Sequence, residues 1–170
     1  RIFDAGPTFT VLGGHPIPTN RALGRAIDPR TLTQIDGPKT AVEQVQRYVR
    51  EYRAATLKTI MESGGDLGYP RMTVGTLEAL VNEAHRYRLK VYAHAVELPD
   101  IRDTLKGGVD LVAHGLFESL TAESDIAQMM AKNKTSWLPD LNNSEAALKL
   151  FDHPEIWNDP QVRKSVAGRY

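Results

Sequence analysis

Apolar segments of strand length alternate along this chain with segments of helical period, and that alternation limits the fold to strand-and-helix units around a parallel sheet. "TFTVL" (Thr8 to Leu12) is a candidate strand, closed by "GGHPIPTN", whose glycines and prolines oppose regular structure. From Gly13 to Pro38 no period emerges, so residues 13–38 read as one long loop, of the length that compact domains keep for function. After it, Val42, Val45, Val49 and Tyr52 fall on one face of an amphipathic helix. "TLKTIMES" (Thr56 to Ser63) reads as a strand. Thr73 is placed to N-cap a helix whose stripe is Leu77, Leu80, Val81 and Ala84. "KVYAHA" is the next strand, Pro99 to Lys106 the next helix, and "GG" at Gly107 and Gly108 its end. "VDLVAHG" follows as a strand. Thr121 is expected to cap a helix carrying Ile126, Met129 and Met130, and "TSWLPDL" (Thr135 to Leu141) to form a last strand. Residues 142–170 read as a helical C-terminal extension broken by "HP" and "DP".

Five strands separated by helices fit either an open doubly wound sheet or part of a (β/α)8 barrel. At 170 residues the chain is long enough for one domain with a substantial core, yet a complete barrel takes about 250 residues. The placement of chemistry separates the two. The runs "VYAHA" and "LVAHG" each deliver a histidine at their end, His94 and His114. Strand alternation puts Tyr92 and His94 on one face and Val112 and His114 on one face. In a parallel barrel the strand C-termini form the rim where active sites are built. Lys58 lies inside the apolar segment "LKTIM", where an unpaired ammonium is costly to bury. Each histidine alone has an ordinary reading as a hydrogen-bonded structural residue, and Lys58 alone as a snorkelling side chain; repetition on adjacent strand units shifts the balance toward a shared site.

Composition removes several other classes. With 21 basic and 21 acidic residues the chain has no general attraction to nucleic acid or an anionic membrane. No apolar run is long enough to span a bilayer. There is no cysteine, which excludes disulfides, thiolate metal sites and a cysteine nucleophile. No "GxGxxG" or "GxxxxGK" pattern supports a phosphate cradle, so a nucleotide-binding open sheet lacks its motif. The chain opens on Arg1, with no leader resembling a signal peptide before "IFDAGP", and reads as a piece of a longer soluble protein whose compartment is not legible.

"LKTIMESGG", "TLEALVNEAHRYRLKVYAHA" and "GVDLVAHG", in this order and spacing, resemble the amidohydrolase superfamily, in particular its imidazolonepropionase-like and prolidase-like members. "IDGPKTAVEQVQRYVREY" is similar to the helix leading to that family's lysine strand, and "WLPDL" to its strand-seven segment. The resemblance implies an α/β fold in which residues 1–170 form part of a (β/α)8 barrel, roughly strands three to seven. It implies a metal-dependent hydrolase acting on carbon–nitrogen bonds of cyclic amides, N-acyl amino acids or dipeptides, by a metal-bound hydroxide. Lys58 matches the lysine that is carboxylated and bridges two divalent metals, and His94 and His114 match the two ligands of the second metal. Zinc is the expected ion, and manganese, iron and cobalt suit the same donors.

The family's His-x-His pair and its "GTD" aspartate do not occur in this chain, so the segment alone is expected to have little activity. An alternative is a barrel-derived domain that binds a ligand or partner without catalysis. His15 in "GGHP" and Tyr69 in "GGDLGYP" are candidates for contact with a small-molecule substrate; Asp140 is more simply a surface or supporting carboxylate, His85 a structural contact, and His153 has no assigned role. A partial barrel exposes two sheet edges, which a homo-oligomer or further residues of the same protein would have to cover.

Overall fold

The computed structural model describes residues 5–116 and 125–166, which fall into two compact units divided along the chain between Pro139 and Asp140. The first is a parallel sheet with its helices. Its strands are β1 (Thr8–Val11), β2 (Leu32–Ile35), β3 (Thr56–Ile60), β4 (Lys90–His94), β5 (Leu111–Ala113) and β6 (Ser136–Leu138), in the spatial order β2-β1-β3-β4-β5-β6. The connecting helices are α1 (Ile17–Ala22), α2 (Pro38–Glu51), α3 (Val74–Arg86), α4 (Leu98–Lys106) and α5 (Ile126–Asn133). The second unit holds α6 (Leu141–Asp152), a 3-10 turn at Pro154–Asn158 and α7 (Pro160–Val166), and leaves Leu148, Phe151 and Trp157 exposed.

Alternate strand residues decide which face is covered. Phe9, Leu57, Met61, Val91, Ala93, Ala95 and Val112 are buried in one cluster with residues of α2, α3, α4 and α5. Their neighbours Lys58, Tyr92, His94 and Leu111 are only half-buried, and Leu138 is exposed. α2 packs on α3, α3 on α4 and α4 on α5. Helices therefore lie side by side on one face, as around the outside of a barrel, whereas a doubly wound sheet covers both faces. β1, β3, β4, β5 and β6 follow in sequence order, the five strands that the alternation predicts.

Three expectations need correction. The 13–38 stretch is not a single loop: it contains α1, a 3-10 turn at Pro29–Thr31 and β2, which pairs with β1 from Thr8↔Leu32 to Val11↔Ile35. "LTQI" is too short and too polar to show a period, and β1 supplies what the segment lacks locally. The α2 stripe is Ala41, Val45 and Tyr48, with Tyr52 exposed. The Tyr48 hydroxyl lies 2.5 Å from the Ala5 carbonyl oxygen and 2.7 Å from that of Thr56, and its ring meets Phe9 edge-on, which turns that face inward. The last strand is only Ser136–Leu138, because α6 begins at Leu141. By contrast Thr73 caps α3 through the Thr76 amide, and Leu77, Leu80, Val81 and Ala84 are buried as expected. Thr121 lies outside the described residues.

At the strand N-termini, Asp110 ties three elements together. Its carboxylate accepts from the Val91 amide (2.8 Å), from Lys90 Nζ (2.6 Å) and from His85 Nε2 (2.8 Å). Burial works to raise this carboxyl, and the bonds from Lys90, the Val91 amide and His85, with the His85 charge, outweigh it and hold it below the ordinary range. A lowered folded-state pKa contributes stability that is present above the unfolded value of about 3.9 and is lost as pH falls through the folded one. Asp110→Asn is accordingly expected to cost about 1–3 kcal/mol at pH 7. In urea denaturation the gap between wild type and variant should close on acidification below about pH 4; a gap unchanged by pH would contradict the assignment.

Candidate metal centre

The opposite, C-terminal ends of the strands gather imidazoles. His94 ends β4, and His114 follows β5 at φ +81, where its backbone is pinned by β6: its amide donates to the Leu138 carbonyl (2.8 Å), and Trp137 Nε1 donates to its own carbonyl (2.7 Å). The two rings meet edge-on with centroids 4.6 Å apart. His15, on the turn after β1, stacks on the other side of His94 at 5.1 Å and 9°. That turn is held by the Thr10 hydroxyl donating to the His15 carbonyl (2.7 Å), while His15 Nδ1 lies 3.1 Å from Thr19 Oγ1. Tyr69 stacks with His15 at 6.4 Å and 27°. Its seat requires glycine: at Gly64, φ +68, an added Cβ would stand 2.5 Å from the Tyr69 ring.

Glu62 completes the cluster and is the residue that sequence reasoning missed. Its Oε2 bonds Nε2 of His94 and lies 3.4 Å from Nδ1 of His15. Ligand atoms of His15, Glu62 and His94 lie within 4.8 Å of one another, so this half-buried group can hold a metal ion. Burial acts to raise the Glu62 carboxyl, and the hydrogen bond from His94 with the charges of His15, His94 and His114 outweighs it and holds it low. Burial lowers His15, against the pull of Glu62 and with the help of the neighbouring imidazoles His94 and His114. A sequence signal for Glu62 existed: positions 58, 60 and 62 share one side of an extended strand.

Lys58 lies on the same face. β3 and β4 pair with Lys58↔Tyr92 and Ile60↔His94, so Lys58 sits one side-chain repeat, about 6.6 Å, behind the histidine level. Its Nζ is 5.3 Å from the centroid of the Tyr92 ring, whose hydroxyl is pushed up by burial. The structure thus brings His94, His114, His15 and Tyr69 together, with Lys58 behind them. His85 is at the other rim on Asp110, His153 pairs with Glu155 in the second unit, and Asp140 stands at the N-cap of α6 with φ +46. A separate groove of about 510 Å³ runs along α1 and β2, lined by Ile17, Arg21, Arg25 and Gln34 among others; no member of the imidazole cluster lines it.

Several solved structures share this fold. A Xaa-Pro dipeptidase with methionine in its active site matches with a TM-score of 0.63 and 29% identity, over 82% of this chain and 35% of that one. A prolidase complexed with N-methylphosphonate-L-proline matches at 0.64 and 22%, over 82% and 36%. The Aspergillus niger (A. niger) ochratoxinase matches at 0.60 and 20%, over 81% and 35%. No family model and no curated protein matches the chain. The fold and its rim of half-buried histidines define a segment of a (β/α)8 barrel. More particularly, the resemblance to the amidohydrolase superfamily holds at the level of the fold, and this chain spans about a third of the length of the structures it matches. Among the described residues no helix is long and apolar enough to cross a membrane.

Proposed function

We propose that the chain is the part of a metal-dependent amidohydrolase that supplies its second metal site, in an enzyme cleaving carbon–nitrogen bonds. The observation that carries this reading is the convergence of His94 and His114, ring against ring, at the C-terminal rim of a sheet whose other face is packed by α2, α3, α4 and α5. The donors fit a divalent cation: neutral imidazoles and an oxygen donor are what zinc and its neighbours take, and the half-buried His15, Glu62 and His94 beside His114 bring such atoms within 4.8 Å of one another. His94 and His114 would hold the ion. Lys58, as a carbamate, would supply an anionic oxygen donor beside them. A cation held there would supply polarisation of a carbonyl and a lowered pKa for water, chemistry that calls for no serine or cysteine nucleophile.

The remaining residues position and shield. Thr10 and Thr19 fix the turn that carries His15, and Gly64 leaves room for the Tyr69 ring against it. His15 and Tyr69 thereby form a polar and aromatic wall beside His94, suited to orient a small acyl or amide group. Likeness to a Xaa-Pro dipeptidase and a prolidase favours dipeptides ending in proline among the candidate substrates, ahead of N-acyl amino acids and cyclic amides. The test is a hydrolysis screen of the intact protein across these three classes, before and after chelation. Hydrolysis of at least one class, lost on chelation and restored by zinc or manganese, is expected. A metal-loaded protein inert toward all three would overturn the enzymatic reading in favour of a binding domain.

A further inference from the structure

The Glu62 backbone is fastened on both sides. The Met61 amide donates to the His94 carbonyl at 2.8 Å, and the Ser63 amide donates to Asp100 at 2.8 Å. Asp100 is fully buried and also accepts from the Ser63 hydroxyl (2.9 Å) and from Arg71 Nη1 (2.7 Å). From this anchored position the Glu62 carboxylate reaches Nε2 of His94, with side-chain exposures of 12% and 16%. An ionised carboxylate only accepts, so the ring nitrogen that touches it carries the hydrogen. In a neutral imidazole the lone pair is then on the other nitrogen.

We propose that Glu62 is a positioning residue that holds His94 as its Nε2–H tautomer and so presents Nδ1 to a divalent cation. The inference rests on the metal-dependent reading above. It assigns Glu62 an orienting part like that of carboxylates that fix metal-binding histidines in general, whose loss weakens metal binding by roughly 10–100-fold. The competing arrangement makes Glu62, His94 Nε2 and His15 Nδ1 ligands themselves, and it predicts the opposite nitrogen on the metal.

The experiment uses the intact protein, labelled with ¹⁵N-histidine, with zinc as the probe. Two-bond proton–nitrogen correlations are expected to show His94 protonated on Nε2 before zinc, with Nδ1 the resonance that moves on addition. Chelator competition should give about 10–100-fold weaker zinc binding for Glu62→Ala, with a smaller loss for Glu62→Gln, which keeps an acceptor, and with unchanged stoichiometry at saturation. Zinc on Nε2 of His94, or a Glu62→Ala affinity equal to wild type, would overturn this inference while leaving the metal site standing. Zinc that leaves both His94 nitrogens untouched would overturn the metal reading as well. The wild-type spectrum needs no variant, so a folding defect in either substitution does not remove the test.

Discussion

His94→Asn in the intact protein is expected to lower hydrolysis by more than 100-fold, beyond the upper end of what losing an outer partner of a metal ligand produces. The reason is geometric. His94 is the central ring of the cluster, touching His114 edge-on, His15 face-on and Glu62 through Nε2. Its replacement removes the imidazole from either arrangement of ligands, and a neutral amide is a weaker donor to zinc than an imidazole nitrogen. The same change at His114 is expected to match it in activity and in metal content. At His85, which has the same chemistry but sits on Asp110 at the opposite rim, asparagine should leave turnover per folded molecule within about twofold, since it touches nothing at the site. Metal content measured beside kcat separates loss of the ion from loss of fold. A His94→Asn protein with full turnover would contradict the site.

The second large effect concerns stability. Asp100→Ala is expected to cost about 3–5 kcal/mol, because it removes the fully buried carboxylate of a partly buried ion pair together with the acceptor of the Ser63 amide and hydroxyl. Asp100 has no exposed surface, and Arg71 spans Asp100 and Asp103 with 2.7 Å bonds to each. Alanine would leave the Arg71 guanidinium half-paired and the Ser63 amide without its acceptor. Asp100→Asn keeps an acceptor and is expected to lose less, about 1–3 kcal/mol. Urea denaturation reads both, and an alanine variant with the wild-type midpoint would contradict the network. Since Ser63 adjoins Glu62, the damage should also reach the site, as weakened zinc binding in whatever Asp100→Asn protein remains folded.

What the sequence makes legible here is what is local or repeated. The α3 stripe and its Thr73 cap depend on spacing within one helix, and both are found as read. His94 and His114 were visible because each closes an apolar run. Features that depend on partners distant in the chain were not visible. β2 exists through pairing with β1, across more than twenty residues, and its own four residues carry no period. The α2 face is set by Tyr48 reaching Ala5 and Thr56, which no helical pattern announces. Glu62 falls within "TLKTIMES" with nothing local to single it out; it joins the imidazole cluster because Met61 and Ser63 are fastened to β4 and α4. Lys58 is intermediate, since its face follows from strand alternation while its distance behind the histidines needs the β3–β4 register.

We place a catalytic metal on His94 and His114 at the C-terminal rim of this sheet. Its most direct measurement is anomalous diffraction from crystals of the intact protein grown with zinc. An anomalous peak about 2.0–2.1 Å from a ring nitrogen of each of the two histidines is expected. Zinc found only elsewhere on the protein, with both rings uncoordinated at full occupancy of the other sites, would contradict it.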